Sequence, residues 1–296
     1  MTPTSPFSMS TPATLITGAL LSLAFGAASY FATSEAIESD ACARFRGMAR
    51  AAQYTIDARI KSYSDVLRGV AGLFRANPET SADQFRQYVA QLDITRNFSG
   101  IEVINYARAV RAEHLPALND ELRARLARRG VHNFQPLQAL PERDTYTVLV
   151  YIEPLPPHAL DKIGLDLEAR GAVRRALATA RDNGTLSASG TRIALEAGPN
   201  QSGLALRLPV YRSDLPTASV EQRRLAYAGS AGLGFGVTPL VSGVLDEFPV
   251  KGARLILTEL TAAPPEPDEA PPRATLYDSL ATVERPLPAL PPDDGS

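Results

Sequence analysis

The stretch Ala13–Ala32, ATLITGALLSLAFGAASYFA, holds no charged residue. At a rise of ~1.5 Å per residue a helix over it reaches ~30 Å, the hydrocarbon thickness of a bilayer. Three readings compete: a retained membrane span over 13–33 behind a short tail at 1–12, a cleaved signal peptide, and a buried core helix. Signal peptides open on a basic segment. Residues 1–12 contain no Lys or Arg, although GAAS resembles a small-residue cleavage site. The retained span fits best. Its orientation is not set by charge: Arg44, Arg46 and Arg50 follow it, but Glu35, Glu38 and Asp40 come first, and a long following domain crosses largely regardless of nearby charge.

Residues 35–77 then read as one long helix. Ile37, Ala41, Phe45, Met48, Ala52, Ile56, Ile60, Tyr63, Leu67, Val70 and Phe74 recur in steps of three or four and form one continuous apolar stripe. NPET at 77–80 ends it, because the residue before a proline is pushed out of the α region. Such a stripe can pack on its own domain, pair with a second copy, or do both. Cys42, Phe45, Ile56 and Leu67 are the positions expected at a pairing seam.

Beyond the break, helical and strand patterns intermix. SADQFRQYVAQLDI (81–94), Leu115–Arg129 and Arg170–Asn183 read as helices, the last stopped by Gly184. The β-branched and apolar runs at 100–110, 145–155, 191–197, 203–211, 224–237 and 253–260 read as strands, with a short helix over Pro239–Glu247 and one more strand within 273–279. Several consecutive strands joined by turn-rich loops give an α+β pattern with antiparallel sheets and helices on one side, not a parallel doubly wound sheet. Residues 262–272 and 286–296 are Pro- and acid-rich and read as loop or tail.

The residue types exclude several kinds of chemistry. Cys42 is the single cysteine, so no intrachain disulfide and no cysteine-based zinc site can form. His114, His132 and His158 stand far apart in polar contexts. No Gly-x-Ser-x-Gly elbow or Walker loop is present. GSAGLGFG (229–236) lacks the Lys-Ser/Thr of a phosphate loop and reads as a Gly-rich strand, where glycines mark a bulge, a close approach or a ligand pressed on the sheet. The net charge of −2 offers no basic face for nucleic acid. Asp166 reads first as the cap of the helix that follows it, with ligand contact as the alternative. Arg170, Arg174 and Arg175 read as a solvated face opposite Val173, Leu177 and Ala180.

The motifs FSGIEVINYARAV, YTVLVYIEPL, GLDL followed by RRALATARDNG, LPVYR and AGSAGLGFGVTPLVSGVL occur in an order that resembles a CHASE domain, the extracytoplasmic sensory module of receptor histidine kinases and nucleotide cyclases. The resemblance implies an α+β fold: a long N-terminal helix packed on two PAS-like antiparallel-sheet subdomains and preceded by one transmembrane helix. The membrane-distal subdomain would cover 78–237 and the membrane-proximal one 238–285. It further implies a small-molecule pocket in the distal subdomain, a homodimer, an inner-membrane location with the main domain in the periplasm, no cofactor and no catalysis within this chain. Carried over residue by residue, the pocket falls on Val173, Arg174, Ser189, Leu195, Leu206, Ser230, Leu233 and Gly234. Plant cytokinin receptors of this family have an acidic residue at the position of Val173, so an adenine-type cytokinin is not the expected ligand; an apolar or weakly anionic molecule is. Family members usually carry a second transmembrane helix and a cytoplasmic kinase or cyclase, which this sequence lacks, so a truncated receptor or a stand-alone sensor is expected. The alternative is a membrane-tethered interaction protein that uses the same fold without a ligand.

Overall fold

The computed structural model of the 296-residue chain describes residues 11–155, 157–188, 193–194, 202–247, 254–258 and 275–279. It divides into two compact units, residues 1–54 and 55–296. In the first, every described residue belongs to helix α1 (Thr11–Ala76). Leu15, Leu20, Leu23, Phe25 and Phe31 are all more than 60% exposed. The helix carries a window of mean hydropathy 1.7 with none of it buried, long and apolar enough to cross a membrane by composition.

In the second unit the rest of α1 becomes a core helix. Tyr63, Val66, Leu67, Val70 and Phe74 are buried at the spacing of one helical face. The stripe expected from the sequence is therefore one line with two fates, since Ile37, Phe45 and Met48 in the first unit are exposed. Leu67, expected at a pairing seam, is fully buried in this chain's own core and is corrected to a core residue. Ile56 is half-buried.

After α1 the chain forms α2 (Ala82–Leu92), a single turn α3 (Ile94–Asn97), strand β1 (Ile101–Arg111) and α4 (Leu115–Ala127). Ser81 opens α2 with a capping box: its hydroxyl accepts from Gln84 N–H while the Gln84 side chain accepts from Ser81 N–H. Strand β2 (Thr145–Glu153) ends at a cis Glu153–Pro154 bond. Then come α5 (Gly171–Asn183), the short strands β3 (Ser187–Ala188) and β4 (Ile193–Ala194), β5 (Ser202–Tyr211), α6 (Val220–Ala226), β6 (Tyr227–Gly236) and α7 (Val237–Glu247). Strands β7 (Ile256–Thr258) and β8 (Thr275–Asp278) pair with each other.

The remaining strands make one six-stranded sheet of order β2-β1-β6-β5-β3, with β4 also on β5, and every pair is antiparallel. One face of this sheet packs on α1. There Phe74 stacks on Tyr106 with ring centroids 3.6 Å apart, Phe85 of α2 lies 5.6 Å from both Phe74 and Tyr151, and Tyr63 lies 5.3 Å from Phe235. Tyr151 closes the cluster by donating to the Thr80 carbonyl at 3.1 Å. Val237 and Val241 of α7 meet Tyr277 of β8 in a smaller second cluster.

Two element boundaries differ from the sequence reading. Residues 224–226, expected in a strand, end helix α6, because Ser219 and Gln222 form a second capping box that starts a helix just upstream. The following helix begins at Val237, so Pro239 lies in its first turn, where its missing N–H costs nothing. Of the strands expected at 191–197 and 253–260, the parts beyond β4 and β7 lie largely outside the described residues.

Candidate functional site

Alternation along the paired strands sorts the predicted pocket residues by face. In register, Ile104, Leu233 and Leu206 lie abreast, as do Tyr106, Ala231 and Leu208. These side chains share the face of Phe235 and Tyr106, which pack on α1. The intervening rows, Val103–Gly234–Ala205, Asn105–Gly232–Arg207 and Ala107–Ser230–Pro209, belong to the opposite face. Tyr211 stands two steps beyond Pro209 on that face and donates to the Arg181 carbonyl at 2.5 Å, which places α5 over it. The predicted set is thus split. Ser230 and Gly234 are under α5, and Leu206 and Leu233 are on the α1 side. From α5 itself Val173 is buried and Arg174 is exposed. Ser189 and Leu195 lie outside the described residues.

Helix α5 is fixed at both ends. Gly184 closes it in the left-handed region (φ 71°), with its N–H on the Ala180 carbonyl at 2.8 Å. Asp182 accepts from Arg224 Nη2 at 2.6 Å and from Arg181 Nε at 2.8 Å, and Arg223 Nε donates to the Asp182 carbonyl at 2.6 Å, tying α5 to α6. Hydrogen bonding to Arg224 above all holds the Asp182 carboxyl well below the usual carboxylate range; burial opposes it and Arg181 adds to it. A depressed folded-state pKa gives stability that is present above about pH 4 and drains away as pH falls below it. Asp182→Asn is therefore expected to flatten the acid limb of the melting curve between about pH 5 and 2, read as Tm against pH for the two proteins side by side.

Asp166 does not cap α5. It caps the short 3-10 turn Leu167–Ala169, accepting from Glu168 N–H at 3.1 Å, while the position before α5 is Arg170, which makes no capping bond. The Asp166 carboxylate, 3% exposed, also pairs with Arg143 at 2.5 Å and accepts from Thr147 N–H, so it ties this turn to β2. Glu168 is committed as well: Oε1 accepts from the Thr147 hydroxyl at 2.5 Å and Oε2 from Arg143 Nη2 at 3.4 Å.

Under α5 the sheet carries polar groups that the sequence reading missed. Arg207, only 6% exposed, donates from Nη1 to Asn105 Oδ1 at 2.7 Å, while its Nε–H has no acceptor among the described residues. Gly232 makes room for this pair, since a Cβ there would collide with Arg207 Nη1 and lie 2.5 Å from Asn105 Oδ1. The Tyr227 hydroxyl is buried beside Thr147 without a well-formed hydrogen bond, and burial pushes its pKa far up. Burial draws the Arg207 guanidinium down to about 10, so it stays charged at neutral pH. The signal for this group was a single charge inside the apolar run GLALRLPVY. Elsewhere, a groove of about 510 Å³ lies between the start of α2, α4 and β2, with Arg86, Arg125, Arg129, Glu121 and Glu153 in its wall; none of the predicted pocket residues lines it. Among the described residues no group of three or more His, Cys, Asp or Glu is placed to hold a metal ion.

A search of curated proteins gives no match. Among solved structures, the ligand-binding domain of the Pseudomonas aeruginosa PAO1 amino acid chemoreceptor PctC, in complex with GABA, is 15% identical, with a TM-score of 0.37 over 70% of this chain and 65% of that one. The family model described as the CHASE domain matches residues 78–268, the span that holds the six-stranded sheet, α5 and the buried polar groups beneath it. The chain belongs to the CHASE domain family.

Proposed function

We propose that the chain is the extracytoplasmic sensing part of a membrane signalling receptor, in which a small molecule binds between the six-stranded sheet and α5. Membership of the CHASE family over 78–268 is the observation that carries this reading. Two features support it. The polar groups under α5 have the composition of a recognition site, a few polar atoms in apolar surroundings. The apolar window of α1 fits an anchored receptor. Thermal shift of the full chain in detergent against a metabolite panel tests it. A ligand at ~100 times its Kd adds about 2.7 kcal/mol, or roughly 5–10 °C for a domain of this size. A panel that moves the Tm nowhere would leave a tethered interaction protein as the better reading.

Output would pass through α1 pairing in a homodimer, with ligand favouring one of two arrangements by no more than its differential affinity for them. Cys42 is exposed on α1, as is Phe45, so mild oxidation of the membrane-embedded chain is expected to crosslink two copies through Cys42. The yield should change when ligand is added, read on a non-reducing gel. A chain that stays monomeric under every oxidant would refute parallel pairing at that level.

A further inference from the structure

Arg207 is a buried cation with no counter-ion among the described residues. Among those residues its hydrogen bond is to a neutral amide, Asn105 Oδ1, and its Nε–H has no acceptor. Glu168 is not that counter-ion: its ion pair is with Arg143, and its other oxygen accepts from the Thr147 hydroxyl. On the same sheet face, opposite Tyr211, Tyr227 carries a second buried hydroxyl that makes no well-formed hydrogen bond, beside Thr147. Among the described residues these are the two buried side-chain atoms left unsatisfied, and both belong to the sheet face that α5 covers. Folded proteins leave few such groups unpaired, and an apolar residue of similar size would be cheaper in a core that is never filled. A buried guanidinium with a bare N–H matches a carboxylate, to which charge-assisted bonds are short and strong. The surroundings are apolar: Ala205 and Pro209 flank Arg207 on the same strand face, and Val173 and Leu177 of α5 are buried.

We propose that Arg207 and Tyr227 are the anion anchor of the ligand site, and that the ligand is a small molecule carrying a carboxylate on an apolar body. The inference rests on the sensor reading above and names the ligand class for that site. It replaces Arg174, which is exposed, as the cationic contact.

The test uses the full chain in detergent with butyrate, hexanoate and benzoate, each beside its neutral twin butyramide, hexanamide and benzamide. At least one carboxylate should raise the Tm in a saturable way, and its amide should not. Arg207→Met should weaken that carboxylate about 30-fold or more, as expected when a buried charge pair loses one member, while melting no lower than wild type. Tyr227→Phe, which deletes only the hydroxyl, should weaken it by about 10-fold and keeps the inference testable if the Met variant does not fold. Amides as effective as acids, no response to any of the acids, or an unchanged Kd in these variants would overturn the anchor. A neutral metabolite that shifts wild type and Arg207→Met alike would sink the anchor and leave the sensor reading standing. Silence from acids, amides and the whole metabolite panel would sink both.

Discussion

Phe74→Ala should lower the melting temperature by roughly 10 °C or more. Phe74 is 3% exposed and sits where helix, sheet and second helix meet, stacked on Tyr106 at 3.6 Å and within 6.0 Å of the rings of Phe85 and Tyr151. Its removal loses the transfer free energy of a buried ring and leaves a hole that three stiff neighbours cannot close. Such truncations cost about 3–5 kcal/mol, and each kcal/mol is worth roughly 2–4 °C in a domain of this size. Phe74→Leu keeps most of the volume and should recover more than half of the loss. Equal loss in both variants would mean that ring stacking, not filled space, holds α1 to the sheet.

Gly229→Ala is the second large effect, expected to destabilise by about 2–4 kcal/mol. Gly229 lies in the central strand β6 with φ at +154°, where a side chain is strained. A Cβ there would also collide with the Ala107 carbonyl oxygen on β1 and approach the Tyr106 hydroxyl to 2.9 Å. The carbonyl belongs to the neighbouring strand, so relief requires moving backbone in the middle of the sheet. Gly72→Ala is the matched control of opposite sign. Gly72 is exposed on α1 with nothing within 4 Å of a built Cβ, so alanine should stabilise by roughly 0.5–1 kcal/mol through helix propensity. Chemical denaturation of the three proteins reads both effects on one scale.

Much of the fold can be read from local pattern. The steps of three and four along 35–77 yield the helix, the Ser81–Gln84 pair yields the start of the next one, and Gly184 yields the end of α5, because each signal lies within a few residues of the structure it controls. Helix α6 is hidden for the opposite reason: after Arg224 the run RLAYAGSAGLGFGV is nearly all apolar or small, and that pattern masks the Ser219–Gln222 box just before it. The candidate site was less legible still. Alignment to family positions pointed at Leu206, but side chains alternate along a strand, and Leu206 and Arg207 necessarily face opposite sides. Only the pairing of β5 with β6, together with the Tyr211–Arg181 bond, shows which side holds α5. The Arg207–Asn105 contact joins residues 102 apart in sequence, a separation that no periodicity reveals. The four glycines of 229–236 did announce crowding. At Gly232 it is a guanidinium and an amide of this chain that press on the backbone.

A small molecule held between α5 and the sheet would leave its footprint in backbone exchange. Hydrogen–deuterium exchange of the full chain, with and without the strongest thermal-shift hit, tests that placement most directly. Binding there should slow exchange in α5, in β5 around Arg207 and in β6 from Tyr227 to Gly234, with little change along α4. Protection confined to the groove walled by Arg86, Arg125 and Arg129, with α5 and β5 exchanging as before, would contradict the account.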